Sequence, residues 1–293
     1  MNRNIHFWTL SIALLGSALS HPALANNTVT AIKLENPPEL SAGASDPAWK
    51  DAKALAVNLV GGANFDNGQT RASIKAAYDA ARIYILVQYR DQTFSQRRFP
   101  YQKQSDGSWK ELRDPNNKGG DENIYYEDKL ALLWNIGAST KNFGELGCMS
   151  SCHAREAGKP YGNKYTSSEG ELGDIWHAKS IRTGPVGQVD DQYLDHTRFD
   201  KDQAPAAGRK SDPKTGGGYI SIKLVDGQPE FMSSSAIASN HTGGVYYVIE
   251  GDQRPFDKGS FSAGDELASI LISPFTGDRG DISAAMRSEE HTS

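Results

Sequence analysis

The chain has 293 residues, 38% of them hydrophobic and 23% charged, and its 31 basic against 36 acidic side chains leave a net charge of −5 at pH 7. That length suits one large all-β domain or two small ones, with enough apolar residues for a core. A mildly acidic chain with no basic run and no aromatic–basic stripe excludes nucleic acid as a partner.

Residues 1–25 read as a secretory signal peptide. Arg3 makes the start basic, an apolar stretch spans 7–19, and Ala23-Leu24-Ala25 is an A-x-A cleavage site. The segment is either removed or kept as an anchor. Nothing later is apolar for long enough to cross a bilayer. The expected product is one exported domain, residues 26–287, periplasmic in a Gram-negative cell.

Residues 28–40 suggest an opening strand followed by a Pro-Pro turn, and residues 45–52 a capped turn that presents Trp49. Residues 54–60 are strand-like up to Gly61-Gly62. Residues 72–79 and 82–91 alternate, are rich in β-branched and aromatic side chains, and predict a hairpin across Ala80-Ala81. Residues 92–123 are polar and turn-rich, and Arg97, Arg98, Lys103 and Lys110 make them either a solvated loop or a rim for an anionic group. Strand character returns over 126–136, and Phe143-Gly144-Glu145-Leu146 leads into the motif on which the reading turns.

Gly147-Cys148-Met149-Ser150-Ser151-Cys152-His153 contains both cysteines of the chain. Two thiols followed at once by an imidazole suit covalent haem attachment: each sulfur joins one vinyl group, and the histidine ligates the iron. The common spacing is C-x-x-C-H; this one has an extra residue. Three alternatives stay open at this point: a Cys148–Cys152 disulfide in an oxidising compartment, a zinc or copper site, and a pair of buried thiols.

A Gly/Ser-rich loop at 161–172 precedes a strand over 173–182. Alternation there puts His177 and Lys179 on one face with Ile175, and Trp176 and Ala178 on the other. These two nitrogens are the second candidate constellation; the plain alternative is a surface strand with ordinary polar residues. Residues 183–195 predict a turn and an acidic segment, with His196 exposed beyond it, and residues 201–218 a surface excursion. Strands follow at 219–224, 245–250 and 265–273, the last closed by Pro274, and a final strand begins over 279–286. Residues 288–293 are patternless and polar and read as a non-native tail.

Several of these segments together resemble the haem-binding domain of the ethylbenzene dehydrogenase gamma-subunit type. They are Ala76-Ala77-Tyr78-Asp79 with the strand at 83–91, Asp174-Ile175-Trp176-His177-Ala178-Lys179 with Gly184-Pro185-Val186-Gly187, and Gly264-Asp265 with Gly277-Asp278-Arg279-Gly280-Asp281. The resemblance spans about residues 45–287. It implies an antiparallel β-sandwich with long loops and short helical insertions, used for electron transfer, whose haem is b-type and held by a methionine and a lysine. Lys179 matches the lysine, and the Cys148–His153 loop falls in the region of the methionine. Ala178 stands where the family has an aromatic residue, and the family's last strands are missing.

The expectation is therefore a c-type cytochrome, an electron carrier and not an enzyme, with one covalent haem c. Cys148 and Cys152 carry the thioethers and His153 is the proximal ligand. Lys179, narrowly ahead of His177, is the sixth, with Met149 and Met232 behind them. A lysine ligates iron only as the neutral amine, so burial must lower its pKa, whereas a histidine needs no such shift. The implied partner is a redox protein, a molybdenum oxidoreductase by analogy. The rival class is a haem-free sandwich resembling carbohydrate-binding modules, with a Cys148–Cys152 disulfide and Trp49, Trp109, Trp134 and Trp176 available to stack on sugars. A haem sensor or haem enzyme needs a vacant axial position.

Overall fold

The computed structural model describes residues 28–60, 66–91, 93–116, 124–151, 164–233 and 246–286. Residues 1–25, expected as a signal peptide, Cys152, His153 and the expected tail at 288–293 lie outside them. The architecture is all-β: several mostly antiparallel sheets joined by long loops, with helix confined to short turns. Among the described residues no helix is long and apolar enough to cross a membrane.

The first sheet is built on β1 (Leu55–Val60), β2 (Gln69–Tyr78) and β3 (Ile83–Tyr89). β2 lies in the middle, antiparallel to both neighbours. The expected hairpin is closed by Asp79. Its Oδ1 accepts from the N–H groups of Ala81 and Arg82 at 2.7 and 2.8 Å, and its Oδ2 from the Tyr84 hydroxyl at 2.6 Å. An aspartate that satisfies the turn's own donors lets two alanines serve as the loop. The opening strand is shorter than expected, Ile32–Lys33, paired in parallel with Ala77 and Tyr78. Asp46 caps the turn Pro47–Trp49 by accepting from Ala48 N–H at 2.7 Å, and Trp49 is buried with Ala52, Ala77 and Tyr84.

The second sheet carries the candidate site. It runs in the order β7 (Arg209–Ser211), β6 (Asp190–Leu194), β5 (Gly173–Lys179), β4 (Lys129–Asn135), antiparallel throughout. β6 falls in the acidic segment expected after a turn, and β7 in the expected surface excursion. Asp190, Asp191 and Gln192 are all buried. Partners from elsewhere in the chain neutralise or bond them, which composition alone does not reveal, and tertiary context overrides strand propensity.

Residues 93–116 are not a solvated loop. Tyr101–Lys103 and Trp109–Glu111 form a small sheet with Glu266–Leu267. Tyr101 and Trp109 enter the main hydrophobic core with Ile222, Phe231, Met232 and Val248, each fully buried apolar side chain contributing about 1.5–3 kcal/mol. Arg97 pairs with Glu266 at 2.5 Å, and Lys103 donates to the Phe261 carbonyl at 2.7 Å. Two of the basic residues that might have formed a rim are thus internal stitches.

In the third sheet β8 (Gly216–Ser221) pairs with β9 (Ile270–Thr276), and Val248–Ile249 joins in parallel. β9 runs through Pro274 instead of stopping there. The register shifts between Gly216 and Gly218, so the missing proline N–H falls at a bulge and no ladder bond is lost. Gly217, at φ +71°, is required there: a Cβ would lie 1.6 Å from the Pro274 carbonyl oxygen. The strand expected over 279–286 is instead a 3₁₀ turn, Asp278–Gly280, and one bridge between Ser283 and Gln188. Between the first and second sheets lies a cavity of about 870 Å³ lined by Tyr84, Leu86, Leu130, Leu132, Trp176 and Ala178 among others.

Candidate functional site

The alternation expected of β5 is present. Ala131 of β4 and Asp190 of β6 lie directly opposite His177, and Lys129 lies opposite Lys179. Residues opposite one another in an antiparallel pair share a face. One face of the second sheet therefore carries His177, Lys179, Lys129, Ala131, Asp190 and Gln192. Trp176, Ala178, Leu130 and Leu132 stand on the other, against the cavity. Among the described residues no cysteine, histidine or lysine lines that cavity.

Lys179 is 2% exposed and Asp190 is fully buried. The lysine ammonium pairs with Asp190 Oδ2 and lies 3.3 Å from the Tyr219 hydroxyl, which itself donates to Oδ2 at 3.1 Å. Arg279 Nε donates to Oδ1 at 2.6 Å. Burial alone would raise the Asp190 carboxyl, but Lys179 and Arg279 outweigh it and hold the group below its ordinary value. Burial brings Lys179 down to about 7, against the pull of Asp190. Its amine is thus near the neutral form that metal ligation needs, yet is committed to Asp190 and Tyr219. Beside this cluster, Arg182 pairs with buried Glu127, whose Oε2 also accepts from the N–H groups of Ile181 and Arg182 at 2.9 Å.

His177 differs. Burial, then the charge of Lys179, lowers it to about 3, so the imidazole is neutral at any physiological pH. Its Nδ1 is 3.2 Å from Gln192 Oε1. An amide oxygen only accepts, so Nδ1 carries the proton and the lone pair is left on Nε2. A histidine held through one ring nitrogen with the other available is the usual arrangement of a metal ligand. Ala131 opposite it is small and exposed, which keeps the sheet face open at that point.

Cys148 lies in the 3₁₀ turn Gly147–Ser150, directly after the helical turn Phe143–Leu146. It is half-buried, and burial pushes its thiol up. The Ser167 hydroxyl donates to the Ser150 carbonyl at 3.2 Å, and Thr166 N–H to the Asp195 carbonyl at 2.8 Å. These bonds tie the turn to the end of the sheet where β5 begins. Lys179 is at the opposite end of β5, roughly 20 Å away along the strand, and His177 is two residues nearer. Met149 is exposed, Met232 is packed in the main core, and His196 is exposed. Among the described residues no group of three or more His, Cys, Asp or Glu side chains is arranged to hold a metal ion. Trp49 and Trp109 are core residues, so two of the four candidate sugar platforms are covered.

Nothing local in the residues points to the partners that hold this face. Asp190 and Gln192 lie on β6, Tyr219 on β8 and Arg279 on the turn Asp278–Gly280, and only tertiary packing brings them together. On the opposite face, Asp191 is pushed up to about 8 by burial and then by the carboxylates of Asp174, Asp212 and Asp281.

Two outcomes are expected in unfolding experiments. Asp190→Asn leaves Lys179 and Arg279 beside a neutral amide and should destabilise the fold by about 3–5 kcal/mol in urea titration; a loss within error of zero would show that the cluster holds nothing together. Asp191 has a folded-state value above its unfolded one, so its contribution is complete below about pH 4 and is lost as pH rises through about 8. Asp191→Asn should therefore match wild type below about pH 4 and exceed it by several kcal/mol at pH 9, since each pH unit between the two values costs about 1.4 kcal/mol. An equal gap at both pH values would contradict this.

A family model described as ethylbenzene dehydrogenase matches residues 46–292. Comparison with curated proteins and with solved structures gives no match.

Proposed function

The chain belongs to the ethylbenzene dehydrogenase family, and from that membership we propose that it is an exported, periplasmic electron-transfer protein holding one haem c. The observation that carries the reading is His177: a neutral imidazole, oriented by Gln192, beside the small, exposed Ala131. These residues fit a planar iron ligand seated on the sheet face. The bound haem supplies one-electron chemistry at its iron; the chain supplies anchoring and ligation.

In this reading Cys148 and Cys152 would anchor the haem through thioethers, a net addition of each S–H across a vinyl group that needs no oxidant. His153 is the proximal ligand. His177 is the sixth, because its Nε2 is available and because it lies nearer the Cys148 end of β5. Lys179 is the second reading, favoured by an amine already brought down to about 7; it would have to leave Asp190 and Tyr219. A group held through two side chains of the chain would relay electrons and bind no substrate. The partner is a redox enzyme, of the molybdenum oxidoreductase class if the family analogy extends that far.

A pyridine haemochrome spectrum on acid-acetone-extracted protein from a host with cytochrome-maturation machinery tests the proposal. A c-type band is expected, and Cys148→Ser with Cys152→Ser should release the colour into the extract. Colourless wild-type protein would give the ground to the haem-free sugar-binding alternative. Near-infrared magnetic circular dichroism should change in His177→Ala and not in Lys179→Ala; the reverse would assign the lysine, and no change in either would remove both.

A further inference from the structure

Two adjacent arginines stand in the same kind of setting, and one of them shows what the other can do. Arg97 lies over the rings of Tyr125 and Tyr246, at 4.7 and 5.6 Å, and its Nη2 donates to both carboxylate oxygens of Glu266, at 2.6 and 2.5 Å. Arg98 lies over Phe99 and Tyr126, at 4.1 and 4.6 Å. Its guanidinium donates no hydrogen bond among the described residues, and its Nε is buried without a partner. The nearest carboxylate, Glu127, is 3.9 Å from that Nε. It is already taken by the Arg182 guanidinium and by the N–H groups of Ile181 and Arg182. Stacking on rings fixes the plane of a guanidinium and leaves its N–H edge for an oxyanion.

The surroundings of Arg98 are cationic. The Arg113 guanidinium lies 3.9 Å from the Phe99 ring, Lys129 Nζ lies 4.1 Å from the Tyr126 ring, and Arg182 Nη2 is 3.3 Å from the Tyr126 hydroxyl. The Phe99 and Tyr126 rings meet edge to face with centroids 5.0 Å apart, so four cations surround one aromatic pair. Arg182 is spent on Glu127. Arg113 pairs with Glu111 at the surface, where such a pair is weak. Lys129 forms no ion pair among the described residues. Arg113 and Lys129 are exposed, and the Arg98 side chain is 19% exposed, so a group from outside can reach the fork. Phe99 holds its place under Arg98 at φ +45°, a left-handed conformation that an aromatic residue rarely takes, with its N–H bonded to the Tyr125 carbonyl at 2.9 Å. Burial lowers Arg98, and the fields of Arg182 and Arg113 add to the lowering, so a carboxylate arriving there meets strained positive charge.

We propose that Arg98, with Arg113 and Lys129 beside it, receives a carboxylate side chain from the surface of a partner protein, as Arg97 receives Glu266 within the chain. Two exposed cations around a half-buried fork suit several carboxylates carried on one surface better than a single enclosed acid. On a chain of net charge −5 a local cationic spot fixes the orientation of an acidic partner. Lys129 lies opposite Lys179, so the partner seats at the end of the sheet remote from the Cys148 turn. The inference goes beyond the haem reading and does not need it.

The test measures binding of a fluorescein-labelled hexaglutamate peptide to the full chain by fluorescence anisotropy. Kd should rise about tenfold in Arg98→Gln, which removes a charge-assisted bond, and about two- to fivefold in Arg113→Gln and Lys129→Gln. Arg98→Lys keeps the charge without the fork and should stay weaker than wild type. It also carries the test should thermal unfolding show that Arg98→Gln does not fold. Lys201→Gln removes an exposed lysine elsewhere on the chain and should leave Kd unchanged. Wild-type chain that ignores the peptide, equal losses in Arg98→Gln and Lys201→Gln, or Arg98→Lys identical to wild type would each overturn the proposal. Free glutarate that displaces the peptide at equal carboxylate concentration would overturn it too, by assigning the fork to a small acid. Haem content is read separately from the colour of the same preparations, so a failure of the haem reading is distinguishable from a failure of this one.

Discussion

One buried carboxylate fixes the geometry of the candidate site. Asp190 is fully enclosed, and the ammonium of Lys179, the guanidinium of Arg279 and the hydroxyl of Tyr219 all converge on it. A carboxylate out of water is tolerated only when its lone pairs are met, and here they are met from three separate stretches of chain. The cluster thereby locks β5 to β6, to the third sheet through Tyr219, and to the 3₁₀ turn that bears Arg279. A one-residue slip of β6 would send Asp190 to the cavity side and strand both cations. The position of His177, directly opposite Asp190, follows from that register.

The two faces of the second sheet have consequently divided their chemistry. Toward the first sheet it presents tryptophan, leucine and alanine to a cavity, with acid groups at the edge. Toward the other side it presents a neutral imidazole and a lysine committed to a buried carboxylate. Burial lowers both His177 and Lys179, but with different results: the histidine becomes an uncharged donor of a lone pair, whereas the lysine stays engaged with a counter-ion. That contrast makes the histidine the easier ligand, although the family resemblance points to the lysine.

Much of this was legible in the residues. Alternation over 72–91 gave the first hairpin, and alternation over 173–179 placed His177 and Lys179 together, because period-two patterning is a local property of the strand. Trp49 was expected on a capped turn and is found on one, because Asp46 caps locally. What was not legible depends on distant partners. Asp190-Asp191-Gln192 reads only as an acidic segment after a turn until Lys179, Arg279 and His177 are set beside it. Pro274 looks like a stop until the bulge at Gly217 is known to absorb its missing donor. The basic stretch at 97–110 reads as a solvated loop or a rim, because Glu266, which pairs with Arg97, lies more than 150 residues away. Cys152 and His153 were found through spacing alone and lie outside the described residues.

The central claim is that iron is ligated on the sheet face between Ala131 and His177. Anomalous diffraction at the iron absorption edge, on crystals of the matured protein, tests it most directly. The account predicts one iron peak within bonding distance of His177 Nε2, on the Lys179 side of the sheet. An iron peak in the cavity between the first and second sheets, or next to Lys179 with His177 still bonded only to Gln192, would contradict it.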